Sequence, residues 1–277
     1  MKIHESAFSR LASGLTPEQL RQEFLVSGLF APGQAHLHWW EVDRTVLGGI
    51  CPGTEELILP VPAELRATSF FERREAGFLN LGGPGVITVG DQAYPLAHLD
   101  ALYVGRGSGP AVKFRSVDPA QPARFWVLSY PAHAAHPTRH VAFSSLEPAR
   151  LGAKETANER HLYKMIYPGA FPTCQLVMGV TILQPGSVWN TMPPHTHLRR
   201  SEVYCYFDVR PEHVVFHFMG KPQETRHLVM QDGDAVLSPP WSIHSGCGTA
   251  NYGFIWGMGG ENQEFADMDP AAIPTLR

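Results

Sequence analysis

The stretch PGSVWNTMPPHTHLRRSEVYCYF, residues 185–207, decides how this chain is read. Pro185-Gly186 makes a turn, Val188-Trp189-Asn190 is strand-like, and Pro193-Pro194 leads into His195-Thr196-His197. Two imidazoles two residues apart on extended backbone point the same way, because side chains alternate along a strand. Glu202 follows five residues after His197 and opens an apolar run, Glu202-Val203-Tyr204-Cys205-Tyr206. Its carboxylate reaches the same point if the chain turns after His197.

Downstream, residues 233–244 read GDAVLSPPWSIH. A Gly-Asp turn, a short strand and a Pro-Pro pair bring a third imidazole, His244, from a distant part of the chain. Three nitrogen ligands and one oxygen suit a divalent first-row metal such as zinc, iron or manganese. With 14 His in the chain, one His-x-His pair arises by chance, and His36-Leu37-His38 is such a pair. It has no downstream Gly-Asp…Pro…His companion and is read as structural. His133, His136 and His140 lie among Ala and Pro, without a carboxylate or Cys at ligand spacing. His217, in the middle of a strand, is read as packed or hydrogen-bonded.

The rest of the chain is consistent with a β-rich globular protein. Its 277 residues are 44% apolar and 17% charged, enough to bury a core. Twenty-two basic residues stand against 26 acidic ones, a net charge of -4, which argues against nucleic acid as the main partner. Cys51, Cys174, Cys205 and Cys247 form no Cys-x-x-Cys pair and are expected to be free thiols in a reducing compartment. The N-terminus shows no continuous apolar signal region, and no run has the length of a membrane span, so a cytoplasmic protein is expected.

Thr16-Pro17-Glu18-Gln19 reads as a helix start with a capping box, followed by Leu20 and Phe24 on one face and Gly28 as terminator. Short strands are expected at 45–50, 57–61, 85–89, 99–104 and 124–128, punctuated by Gly/Pro turns. They resume at 175–183, 203–209, 213–219, 227–231, 235–237 and 252–257, with Gly220-Lys221-Pro222 as a hairpin turn. Between 133 and 168 the chain reads as a connector, mildly helical over 153–165. The 26 Gly and 24 Pro fit this pattern. The expected fold is all-β with a few short helices, in two tandem jelly-roll or barrel units: 1–140, opened by the helix and lacking a metal set, and 141–277, carrying it.

The pattern Gly…His-x-His-x4-Glu, then Gly-Asp-x-Val-x-x-Pro-Pro-x-x-x-His, resembles the two cupin motifs, with eight residues between Gly186 and His195 as a departure in spacing. The pieces RRSE, ETRH, PPWSIH, FIWGM, GENQ and DMDP narrow the resemblance to the 5-keto-4-deoxyuronate isomerases, and LTPEQLRQEFLVSGLF, EVDRTVLGGI and FFERREAGFLNLGG extend it over essentially the whole chain. The resemblance implies an aldose–ketose isomerase of pectin breakdown. It would convert 4-deoxy-L-threo-5-hexosulose uronate to 3-deoxy-D-glycero-2,5-hexodiulosonate with one Zn2+ per chain. It matches the zinc ligands to His195, His197, Glu202 and His244, and implies a homo-oligomer, a hexamer in that family.

Other site residues stay open at this level. Lys164 and Tyr204 are candidates for moving the proton. Arg199, Arg200, Tyr206, Glu224 and Arg226 are candidates for binding substrate, with the two adjacent arginines placed for a carboxylate. Competing readings are a cupin dioxygenase, another metal-dependent sugar isomerase, and a non-catalytic sugar-binding cupin.

Overall fold

The computed structural model describes residues 1–6, 9–109 and 111–277. Its strands assemble into two units, each built from a seven-stranded and a four-stranded sheet. The first unit comprises residues 1–4, 28–146 and 165–177; the second comprises 5–27, 147–164 and 178–277.

In the first unit the larger sheet runs, in spatial order, through Lys2–His4, Gln34–Trp40, Thr45–Cys51, Phe125–Pro131, Arg74–Asn80, Ala101–Val104 and Arg139–Val141. The smaller sheet is Leu57–Ile58, Val112–Ser116, Gly85–Val89 and Gln92–Leu96. Inward-facing Phe78, Phe114 and Phe125 pack at tilted angles with centroids 5.3 and 5.5 Å apart and, with Val46, Ile50, Ile87 and Val127, form part of the core. Among the polar groups buried in this unit, Glu75 is completely enclosed. The buried carboxylate of Glu75 accepts hydrogen bonds from the Tyr103 hydroxyl and from the backbone N–H groups of Cys174, Gln175 and Leu176.

The second unit repeats the scheme. Its larger sheet is ordered Ala149–Leu151, Arg160–Ile166, Val177–Leu183, Gly253–Gly260, Arg200–Phe207, Ala235–Ser238 and Leu25–Val26. The smaller one is Trp189–Asn190, Ser245–Gly248, Val215–Lys221 and Glu224–Met230. The last two form the expected hairpin, with Lys221 opposite Glu224. Jelly-roll sandwiches of this kind bury alternate residues between their sheets. In the second unit the strand Arg200–Phe207 turns Tyr204 and Tyr206 toward the smaller sheet, with ring centroids 5.7 and 6.0 Å from His217, and Val236 stands opposite Tyr204.

Three expectations change. The helix Pro17–Phe24, with its Thr16–Gln19 capping box, was placed in the first unit but lies in the second. Its buried Phe24 meets Trp241 edge-on at 6.1 Å, and the chain continues directly into Leu25–Val26, paired with Ala235 and Val236. The helix therefore ends at Phe24, before Gly28. The expected helix over 153–165 is a single 3-10 turn, Lys154–Thr156, followed by the strand Arg160–Ile166. Ala157 in the left-handed region (φ 51) closes that turn and releases the chain into extended structure. The connector between halves is likewise partly strand, at Arg139–Val141 and Ala149–Leu151.

Among the described residues there is no disulfide; Cys51 and Cys205 are buried, and Cys174 and Cys247 half-buried. Among the described residues no helix is long and apolar enough to cross a membrane.

Candidate metal centre and its cavity

Each of the four candidate ligands is placed by a different local device. His195 lies on the two-residue strand His195–Thr196, which pairs antiparallel with Asp269–Pro270. His197 is anchored by its own N–H, which donates to the Pro240 carbonyl at 3.1 Å. Glu202 sits inside the strand Arg200–Phe207, opposite Ser238 on one side and Met258 on the other. His244 follows a turn closed by the Ser242 N–H on the Pro239 carbonyl and enters the strand Ser245–Gly248. The two Pro-rich segments are thus the corners that aim imidazoles at a carboxylate held on a rigid strand.

The four ligand atoms lie within 4.8 Å of one another. Nε2 of His244 is 2.9 Å from Nε2 of His195 and 2.9 Å from Oε2 of Glu202, and Nε2 of His197 is 3.1 Å from the same oxygen. His197, Glu202 and His244 are almost completely buried. The His197 Nδ1 faces the Asp267 carbonyl at 2.8 Å. A carbonyl only accepts, so Nδ1 carries the proton there, and a neutral His197 presents a bare Nε2 lone pair to a carboxylate oxygen. Converging lone pairs in a dry place repel unless a cation lies between them, and the donor set is one that zinc, iron or manganese accepts.

The electrostatics agree with a cation-ready site. Burial holds the His195 imidazole down to about 2, helped by neighbouring His244. Burial alone would raise the Glu202 carboxyl, but positive charge on the imidazole side of the cluster, first at His244, brings it well below its usual range, and a bound cation would act on it in the same sense. The His195 imidazole and the Glu202 carboxyl are thus held toward the deprotonated forms that metal binding requires.

The ligand cluster opens on a cavity of about 260 Å³. Tyr204, Thr191, Thr181, Arg160 and Arg200 supply its polar lining, and Phe254, Trp256, Phe265, Leu162 and Met268 its apolar walls. The Tyr204 hydroxyl is 3.1 Å from Thr191 Oγ1, and burial, then the Glu202 charge, raises the phenol well above its ordinary value. Beneath the cavity the buried Tyr206 hydroxyl meets His217 Nδ1 at 2.8 Å.

The other candidates read from sequence are dispersed. Arg199 is half exposed and pairs with Asp267 at 3.1 Å. Arg200 lines the cavity, but its two terminal nitrogens donate to the carbonyls of Glu264 and Phe265, so it ties down the segment that carries Asp267. Lys164 Nζ lies 4.0 Å from the centroid of the Phe265 ring, which itself lines the cavity. Glu224 is exposed at the hairpin end, Arg226 donates to the Ser13 carbonyl, and neither lines the cavity; Tyr206 lies behind it. Arg160, Thr191, Trp256 and Phe265 were not singled out from sequence. Arg160 had a usable signal: read as a strand, 160–166 puts Arg160, Leu162 and Lys164 on one face.

A family model described as the KduI/IolB family matches residues 34–273. The chain is 51% identical over 267 residues to the 4-deoxy-L-threo-5-hexosulose-uronate ketol-isomerase of Kineococcus radiotolerans, covering 95% of each chain. It is 48% identical over 279 residues to the protein of the same name from Yersinia pestis, covering 100% of each. Among solved structures it resembles an IolB-like protein of Salmonella typhimurium, with a TM-score of 0.69 at 13% identity over 87% of this chain and 94% of that one. It also resembles the oxalate decarboxylase of Bacillus subtilis, with a TM-score of 0.56 at 9% identity over 81% and 71%. At these identities the two structures speak for the cupin-like fold alone. The match to the family model and the identities over nearly full length establish that this chain belongs to the KduI/IolB family.

Proposed function

We propose that the protein is a zinc-dependent ketol-isomerase acting on 4-deoxy-L-threo-5-hexosulose uronate and forming 3-deoxy-D-glycero-2,5-hexodiulosonate, a step in the breakdown of pectin-derived uronates. The observation that carries this reading is the His195, His197, Glu202 and His244 cluster at the floor of a sugar-sized cavity. Support for the substrate comes from the name shared by relatives 48–51% identical over almost the whole chain.

The reaction moves one proton from the hydroxyl-bearing carbon to the carbonyl carbon and one from the hydroxyl oxygen to the carbonyl oxygen, through an enediolate. A zinc ion bound at the cluster would supply Lewis acidity for the carbonyl and for negative charge developing on its oxygen. The chain's own residues do the rest. His195, His197, Glu202 and His244 would hold the ion. Phe254, Trp256 and Phe265 wall the cavity with apolar surface, which keeps water from the reactive carbon. Tyr204, kept as a neutral phenol by burial, serves as a hydrogen-bond donor to a substrate oxygen and as a source of a proton.

The test is an assay on unsaturated uronates released by pectate lyase. Loss of the aldehyde with gain of the 2,5-diketo acid is expected. Oxygen consumption without that conversion would support a dioxygenase instead.

A further inference from the structure

The metal cluster leaves two sequence motifs unused, EVDRTVLGGI at 41–50 and FFERREAGFLNLGG at 70–83. Both lead to one place in the first unit. Arg44, Arg73 and Arg74 line a cavity of about 210 Å³ whose apolar wall includes Leu65, Phe70 and Pro131. Among the described residues no carboxylate lines it. Arg74 opens the strand Arg74–Asn80 opposite Pro131 and is only 6% exposed. Its Nε donates to Ser129 Oγ at 3.1 Å, and its Nη2 to the carbonyls of Arg44 at 2.7 Å and Ser129 at 2.8 Å. These bonds fix the group and leave Nη1 unengaged. Burial lowers its proton affinity to about 9, opposed by the Tyr130 phenol, so it is still charged at neutral pH. A buried cation with no counter-charge is costly, and an anion in the cavity offsets that cost.

The other two arginines add to this field. Arg73 pairs with Glu72 at 2.7 Å and donates to the Leu65 and Arg66 carbonyls. Glu72 is itself drawn away by the Thr68 N–H and hydroxyl. Arg44 and Arg74 have no carboxylate partner among the described residues, so two of the three positive charges are uncompensated. Arg44 holds a left-handed φ of 53, and Arg66 one of 48, conformations that side chains rarely adopt and that gather where a structure serves a site.

We propose that this cavity binds a dianionic phosphate group, free or as the ester of a small molecule, between Arg44, Arg73 and the unengaged Nη1 of Arg74. A dianion matches the two uncompensated charges, whereas a carboxylate leaves one of them unanswered. Guanidinium donors suit phosphate oxygens in geometry as well as charge. The enclosed position of Arg74 strengthens the pairing, and Leu65, Phe70 and Pro131 offer apolar surface to the carbon part of an ester. The site lies in the unit without the metal set and does not depend on the reaction at His195, His197, Glu202 and His244.

The experiment is calorimetry on the zinc-loaded full chain at constant ionic strength, with inorganic phosphate, glycerol 3-phosphate and acetate as probes. Wild type, Arg44→Ala and Arg74→Lys are compared, with zinc content and thermal melting measured in parallel. The wild type should bind phosphate at least about 10-fold more tightly than acetate. Arg44→Ala should weaken phosphate about 10-fold and leave zinc content and phosphate-free melting unchanged, since no carboxylate holds its guanidinium in the folded protein. Arg74→Lys should weaken it at least as much; Arg44→Ala keeps the test readable if that buried replacement does not fold. Phosphate should raise the melting temperature of the wild type more than that of Arg44→Ala. Tighter binding of glycerol 3-phosphate than of phosphate assigns the site to an ester, and equal binding assigns it to the free ion; both support it. Phosphate held by the zinc instead would ignore Arg44→Ala. Full phosphate affinity in that variant, acetate binding as tight as phosphate, or no phosphate binding by the wild type overturns the proposal.

Discussion

The Nδ1 of His197 donates to the backbone carbonyl of Asp267 at 2.8 Å, and that one bond decides which nitrogen faces Glu202 and the other candidate ligands. The carbonyl is held in place by its own side chain: the Asp267 carboxylate takes Arg199 at 3.1 Å and Asn262 Nδ2 at 2.6 Å. Arg199, adjacent to the ligands in sequence, therefore acts on the site through the loop that orients His197.

Replacing Asp267 with Ala should loosen that loop. Partners behind metal ligands commonly contribute about 10–100-fold in affinity. A zinc affinity at least about 10-fold weaker is expected for Asp267→Ala, with a smaller loss for Arg199→Ala, measured by competition with a chromophoric chelator. Unchanged affinity in both would mean that His197 is fixed by other contacts.

Acid should destabilise the metal-free protein through His217. Burial, then the nearby His244, holds this imidazole down to about 3 in the folded state, against an ordinary value of 6.5. Between these limits the unfolded chain carries a proton that the folded chain refuses. Stability is then lost as pH falls below about 6.5, by up to about 1.4 kcal/mol per pH unit from this group, and is flat above it. Denaturant titrations at pH 7 and pH 5 should show a smaller difference for His217→Gln than for the wild type.

In the first unit, Glu75 accepts four hydrogen bonds while fully buried. Glu75→Gln sets an amide NH2 against donors and leaves buried N–H groups unanswered. A loss of about 2–4 kcal/mol of stability is expected, with zinc content unaffected. Thermal melting together with metal analysis separates this from a change at the metal cluster.

The parts of this architecture legible in the sequence were those with local chemistry. The capping box of Thr16 and Gln19 formed as its spacing required. His195, His197, Glu202 and His244 could be grouped because turns and prolines mark where the chain brings them back. The strand Arg74–Asn80 was not legible, since all seven of its residues are buried and a strand covered on both faces shows no alternation. Residues 153–165 misled because Ala, Lys and Glu favour helix, whereas pairing with Ala149–Leu151 decides the matter for Arg160–Ile166. That misreading hid Arg160. Neither could sequence spacing tell Arg199, just before the strand Arg200–Phe207, from Arg200 at its start, whose guanidinium groups bind a side-chain carboxylate in one case and backbone carbonyls in the other.

Removing a ligand should abolish the site as a whole. His244→Ala leaves Glu202 without one of the two imidazoles that approach it within 3.1 Å and cuts the donor set to three. Zinc content near zero after dialysis and at least about a thousandfold loss of turnover are expected, with the fold retained by circular dichroism.

The central claim is tested most directly by stripping the protein of metal and titrating zinc back while following conversion of the keto-deoxyuronate by NMR. Activity should be absent at the start and rise linearly to a plateau at one zinc per chain. Full conversion by the metal-free protein, or no conversion at saturating zinc, would contradict it.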